Sequence, residues 1–93
     1  MQDYTGWIVR STAGHDKGEL FCVTGMEGGY LLLVDGKRRK LSRPKRKKPG
    51  HVEVEDSGAY PQPVLQRFRM GEEISDRALR RALAAFRAVT RRV

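Results

Sequence analysis

The chain reads as a mainly β fold with a C-terminal α-helix: five short strands closing a small β-barrel, then a linker, then one helix. Three observations predict it. Runs of β-formers at Trp7–Ser11, Glu19–Met26, Tyr30–Asp35 and His51–Glu55 are separated by turn residues. Asp35-Gly36, a strong signal for a two-residue hairpin, precedes the charged run Lys37–Ser42, which supplies the remaining strand. From Ser75 onward the apolar residues recur at helical spacing. Residues 1–56 are the expected barrel, with a basic segment at 37–48; residues 57–74 are a linker and 75–93 the helix.

Met1–Thr5 is a short arm of the kind that frays. Strand one, Trp7–Ser11, carries the only tryptophan. In a domain this small a tryptophan more often fills the core than stacks on a base. Arg10 alternates against Val9 and points outward. The turn Ser11–Gly18 contains Gly14 and Gly18, each able to take positive φ without a Cβ penalty. In strand two Cys22 lies among apolar neighbours and reads as a small core residue, not a nucleophile. His15 and His51 are too isolated to suggest a metal site.

Strand three, Tyr30–Asp35, is apolar on both faces, as suits a closed or nearly closed sheet. Strand four, Lys37–Ser42, is so charged that it belongs at an edge, where like charges deter aggregation. Arg43-Pro44-Lys45-Arg46-Lys47-Lys48-Pro49-Gly50 holds too little apolar surface to fold by itself. His51–Glu55 alternates and is expected to close the barrel, with Glu53 and Glu55 on one exposed face. Ser57–Gly71, with Pro61 and Pro63, is expected to be mostly irregular, lying along the barrel through Tyr60, Val64, Leu65 and Phe68. The helix spans Ser75–Arg92, with Ser75 as N-cap and Asp76 complementing the dipole. Leu79, Ala82, Leu83, Phe86, Val89 and Val93 share one face; Arg77, Arg80, Arg81, Arg87, Arg91 and Arg92 share the other.

Charge is the informative part of the composition. Lysine and arginine number 19 against 11 acids, a net charge of +8 over 93 residues. Nine of the 19 lie between Lys37 and Lys48 without an acid among them, and six more are the helix arginines. Two such blocks are an electrostatic footprint. Like charges this close repel, and a phosphate backbone removes the repulsion while releasing counterions. A solvated linker, a nuclear-import-like run and a solvated helix face are the alternatives. No apolar run approaches the ~20 residues of a membrane helix, and no signal peptide is expected at the N-terminus. A single cysteine suits a reducing, cytoplasmic compartment.

Gly6…Val9…Gly14-x-x-x-Gly18…Val23 resembles the KOW motif of a group of ribosomal proteins and of transcription elongation factors of the NusG type. Gly29-Tyr30-Leu31-Leu32-Leu33-Val34-Asp35-Gly36 and its basic continuation resemble the ribosomal protein family L-fourteen-e. They resemble still more its short bacterial KOW relatives, which also run on into a lysine-rich stretch. The resemblance covers Gly6 to Lys48, roughly half the chain. Leu20 departs from it, since many KOW sequences have glycine or a small residue there. It implies an SH3-like barrel whose first turn lies against RNA.

The expected function is non-catalytic RNA binding, ribosomal or ribosome-associated, with rRNA the expected partner. The turn (Gly14, His15, Asp16, Lys17, Gly18) would face RNA. Arg10, Lys37, Arg38, Arg39, Lys40, Arg43, Lys45, Arg46, Lys47 and Lys48 would follow phosphates, and Arg77, Arg80, Arg81 and Arg87 would grip a second strand. Readout would be of backbone and shape, because the basic blocks contain no aromatics. A protein-interaction module using the barrel and the apolar helix face is the alternative; DNA binding lacks a helix-turn-helix or zinc-finger pattern. With no phosphate loop and no nucleophile–base set, neither an enzyme nor a cofactor is expected.

Overall fold

A computed structural model describes residues 3–90 of the chain. The first hairpin forms where its β-formers place it. Strands β1 (Ile8–Ser11) and β2 (Leu20–Glu27) pair antiparallel, with Ile8 opposite Cys22 and Val9 opposite Phe21. The Gly18 N–H donates to the Ser11 carbonyl at 2.8 Å, and the Ser11 N–H to the Glu19 carbonyl at 3.0 Å. Gly14 and Gly18 hold φ of 86° and 92°, the left-handed region that favours glycine. After the Gly28-Gly29 turn, β3 (Tyr30–Val34) pairs antiparallel with β2.

The return strand does not form at Lys37–Ser42. One oxygen of the Asp35 carboxylate accepts from the Lys37 and Arg39 N–H groups, each at 2.9 Å. The Asp35 and Gly36 N–H groups both donate to the Arg39 carbonyl. This local closure competes with a strand ladder, and it leaves residues 37–40 exposed. The strand that pairs with β3 is β4 (Lys45–Lys47), taken from the segment expected to stay unstructured. It does lie at a sheet edge, as its charge requires. A 3₁₀ turn (Pro49–His51) then leads into β5 (Val52–Asp56), which pairs with β1.

The sheet is five-stranded and antiparallel in the order β4-β3-β2-β1-β5, so β4 and β5 are its edges and do not pair with each other. The expected fifth strand exists, but it is held by β1. Its alternation is broken by a bulge: Ile8 faces Asp56 while Val9 faces Val54, which leaves Glu55 as the extra residue. Glu53 and Glu55 therefore do not share an exposed face. Val54 is 44% exposed, and Glu55 turns to Arg10 at 3.2 Å.

Two helices cover one face of the sheet. The expected irregular stretch contains α1 (Pro63–Arg69). Pro63 sits in the first turn, where its missing N–H costs nothing, and the Gln62 side chain accepts from the Leu65 N–H at 3.1 Å. Tyr60, Val64 and Phe68 pack against the core formed by sheet residues and the C-terminal helix, and Leu65 is fully buried in it. Helix α2 (Asp76–Thr90) is capped by Ser75, whose Oγ accepts from the Ala78 N–H at 3.0 Å. Leu79, Ala82, Leu83 and Phe86 are buried against Ile8, Leu20, Cys22 and Val34. Val89 leaves this face and is 56% exposed. Arg91, Arg92 and Val93 lie outside the described residues. The apolar helix face is thus covered by the protein's own sheet.

Period-2 alternation sends Val9, Phe21, Val23, Leu31 and Leu33 to the opposite face, where they are buried with no helix above them. Tyr4, Trp7, Met26 and Val52 pack against this cluster, and Trp7 is half-buried with its ring 4.7 Å from that of Tyr4. Cys22 is buried, as expected of a core residue.

Gly36 joins the basic loop to α2. It has φ of 78°, and a Cβ there would run into the Asp76 carbonyl oxygen and crowd the Arg80 N–H. Gly36→Ala is expected to cost about 2 kcal/mol or more, from strain plus displacement of a helix backbone. Urea unfolding monitored by circular dichroism measures it; a loss under 0.5 kcal/mol, on the order of an ordinary surface change, would show that loop and helix are not locked here.

Candidate nucleic-acid interface

The turn between β1 and β2 is built around one carboxylate. Asp16 accepts from Lys45 Nζ at 2.6 Å, from Lys47 Nζ at 2.7 Å and from Ser11 Oγ at 2.7 Å. Lys47 Nζ also donates to the Ala13 carbonyl at 2.7 Å, and its side chain is only 7% exposed. Burial alone pushes the Asp16 carboxyl up, but the hydrogen bonds from Lys45, Lys47 and Ser11, with the charge of Lys45, hold it well below the usual carboxylate range. This clasp ties the tip of the first hairpin to edge strand β4. It makes Asp16 and Lys47 parts of the scaffold, with little of either left for a ligand.

Other cations are also engaged internally. Arg10 bonds Glu55 and, through a second nitrogen, donates to the Gly18 carbonyl at 2.8 Å. Arg69 is bonded to Asp56 and to the carbonyls of Gly6 and Tyr60. By contrast, Lys17, Lys37, Arg38, Arg39, Lys40, Arg43, Lys48, Arg77, Arg80, Arg81 and Arg87 are exposed, with no carboxylate within 4 Å among the described residues.

Several of these converge. A cleft of about 350 Å³ is lined by Lys37 and Arg38 from the loop, Arg80 and Arg87 from α2, and Gly18–Leu20 at the end of the turn. The four cations come from segments some forty residues apart in sequence. The cleft also contains Glu19 and Asp35, though Asp35 already accepts two backbone N–H groups. A neighbouring hollow of about 250 Å³ shares Glu19, Asp35 and Arg38 and adds His15, Arg39 and Lys45. A further lobe of about 320 Å³ shares Lys45 and adds Gly14, Tyr30, Arg46, Lys48 and His51. Through these shared residues the three hollows adjoin one another around the first turn, from α2 to β4.

Several expected site residues stand apart. Lys17, Lys40, Arg43, Arg77 and Arg81 line none of these hollows. Tyr30 was not among the expected site residues, yet the Arg46 guanidinium carbon lies over its ring, 4.8 Å from the centroid. Strand pairing between β3 and β4 brings the two together, and no local sequence signal could have done so. A separate cavity of about 560 Å³, lined by Thr5, Thr24, Leu41, Phe68, Glu72 and Ile74 among others, includes no cation of either basic block. No helix among the described residues is long and apolar enough to cross a membrane.

No protein-family model matches the chain, and no curated protein matches it.

Proposed function

We propose that the protein is a non-catalytic RNA-binding protein of the cytoplasm, ribosomal or ribosome-associated, built on a KOW-type SH3-like barrel. Two features support the barrel. Val9, Phe21, Val23, Leu31 and Leu33 are buried on the face away from the helices, with Tyr4, Trp7, Met26 and Val52 packed against them, which is consistent with a sheet coiled over that side. The strand order also places β4 and β5 as the two edges, joined by a single 3₁₀ turn.

One observation carries the RNA reading. Two basic blocks distant in sequence contribute cations to one cleft, Lys37 and Arg38 from the loop and Arg80 and Arg87 from α2. Bringing four cations together costs Coulomb energy in the free protein, and a phosphate between them reverses the sign. The arginines can bind phosphate bidentately, while Lys37 acts as a point charge. The adjoining hollows then give the backbone a track past His15 and Arg39 towards Arg46 and Lys48. Of the two surfaces named for the protein-interaction alternative, the barrel and the apolar helix face, the latter is buried at Leu79, Ala82, Leu83 and Phe86.

The test is fluorescence anisotropy with a structured rRNA fragment over a salt series. Six or more phosphate contacts give a log–log slope of about −5 or steeper. A slope shallower than about −2 would overturn the mechanism. Sedimentation of tagged protein with the large ribosomal subunit, at low and at high salt, separates an integral component from an associated factor.

A further inference from the structure

We infer that the lobe at the β4 end of the track takes an unpaired nucleobase, stacked on the guanidinium plane of Arg46, which itself rests on Tyr30. The inference depends on the RNA-binding reading and names what part of the RNA is read. Three observations carry it. The Arg46 guanidinium carbon lies over the Tyr30 ring, 4.8 Å from the centroid, so the ring backs the cation. Arg46 is 58% exposed and its paired carboxylate, Glu27, is loose at 3.8 Å and itself exposed, so the guanidinium is accessible and not committed to a bidentate pair. The wall of this lobe is mostly apolar, in contrast to the main cleft, which suits a flat ring better than a phosphate.

The surroundings fit the same ligand. Gly14, with φ of 86°, presents no side chain to the lobe. Lys48 and His51 are exposed at its margin, where an ammonium can meet the flanking phosphate and an imidazole the polar edge of a base. The His51 carbonyl accepts from the Thr12 N–H at 2.9 Å, which fixes the 3₁₀ turn against the first hairpin. A base inside a duplex offers no free face, so a stacked base must come from a loop, a bulge or an end. Such a nucleotide would sit at one end of the track while its neighbours' phosphates follow the rest.

The test compares a hairpin RNA carrying an unpaired loop with a perfect duplex of equal length, by anisotropy at one ionic strength. A loop with 2-aminopurine reports stacking through quenching. Tyr30→Leu keeps apolar bulk at a half-buried position and removes the ring. Arg46→Lys keeps the charge and removes the plane. Both variants are expected to bind the loop RNA about tenfold more weakly or worse, with duplex affinity within about twofold of the parent. Tyr30→Phe is expected to keep loop affinity and quenching, and melting curves confirm that each variant is folded. If the parent binds loop and duplex equally and neither substitution changes that, the stacking inference is overturned and the RNA reading survives. If the parent binds neither RNA, both fall.

Discussion

Replacing Lys37, Arg38, Arg80 and Arg87 together with alanine lowers RNA affinity about 100-fold or more at physiological salt and flattens the salt slope by about 3 to 4. Each of these cations lines the same cleft, and none has a carboxylate within 4 Å among the described residues. Their charge is therefore uncommitted in the free protein. Stability should hold, because none of the four is buried and alanine is the better helix former at positions 80 and 87. Arg77 and Arg81 provide the control: they share the helix but lie outside the cleft. Arg77→Ala with Arg81→Ala is expected to cost about threefold at most, less per charge removed than the cleft variant. Anisotropy titrations at several salt concentrations decide the matter. Equal losses per charge removed in the two variants would mean that net charge alone, and not the cleft, attracts RNA.

Asp16→Ala is expected to destabilise the fold by about 3 kcal/mol, because it strands the buried Lys47 ammonium without a counter-charge. In a domain of this size that lowers the melting temperature by about 15 °C. Lys45→Ala is expected to cost no more than about 1 kcal/mol, because Asp16 keeps Lys47 and Ser11. The contribution is pH-dependent. The folded-state carboxyl lies below the unfolded value of about 3.9, so the clasp acts fully above that pH and is lost as pH falls below it. The difference in stability between parent and variant, measured by urea unfolding, should shrink between about pH 6 and about pH 2.5. A difference that stays constant across that range would show that the clasp contributes through shape rather than charge.

The two strongest periodicities in the chain were readable directly. Alternation in β1, β2 and β3 follows from residues such as Ile8/Val9 and Leu20/Phe21, which divide between the two sheet faces. The α2 register follows from Leu79, Leu83 and Phe86, all buried. What could not be read was decided by contacts remote in sequence or by a competing local bond. Asp35-Gly36 has the chemistry of a hairpin, yet the Asp35 side chain captures the N–H groups that a ladder would use. Lys45–Lys47 lacks any apolar residue, but Asp16, about thirty residues away, pairs with two of its three cations and ties the segment to the first hairpin. Pro63 looked like a helix breaker and is a helix starter. The basic blocks were evident from composition; that Lys37 and Arg38 share a cleft with Arg80 and Arg87 depends on how α2 crosses the sheet.

Cys22 lies on the sheet face beneath α2, and burial pushes its thiol up to about 12. Only the thiolate attacks maleimides and disulfide reagents, so this sulfur stays silent while the helix is seated. It becomes a stopwatch for undocking, readable in native buffer without denaturant: the labelling rate counts how often the helix lifts. The same silence means that a second cysteine placed on the surface takes a dye alone, so the protein can carry a reporter without loss of its native thiol.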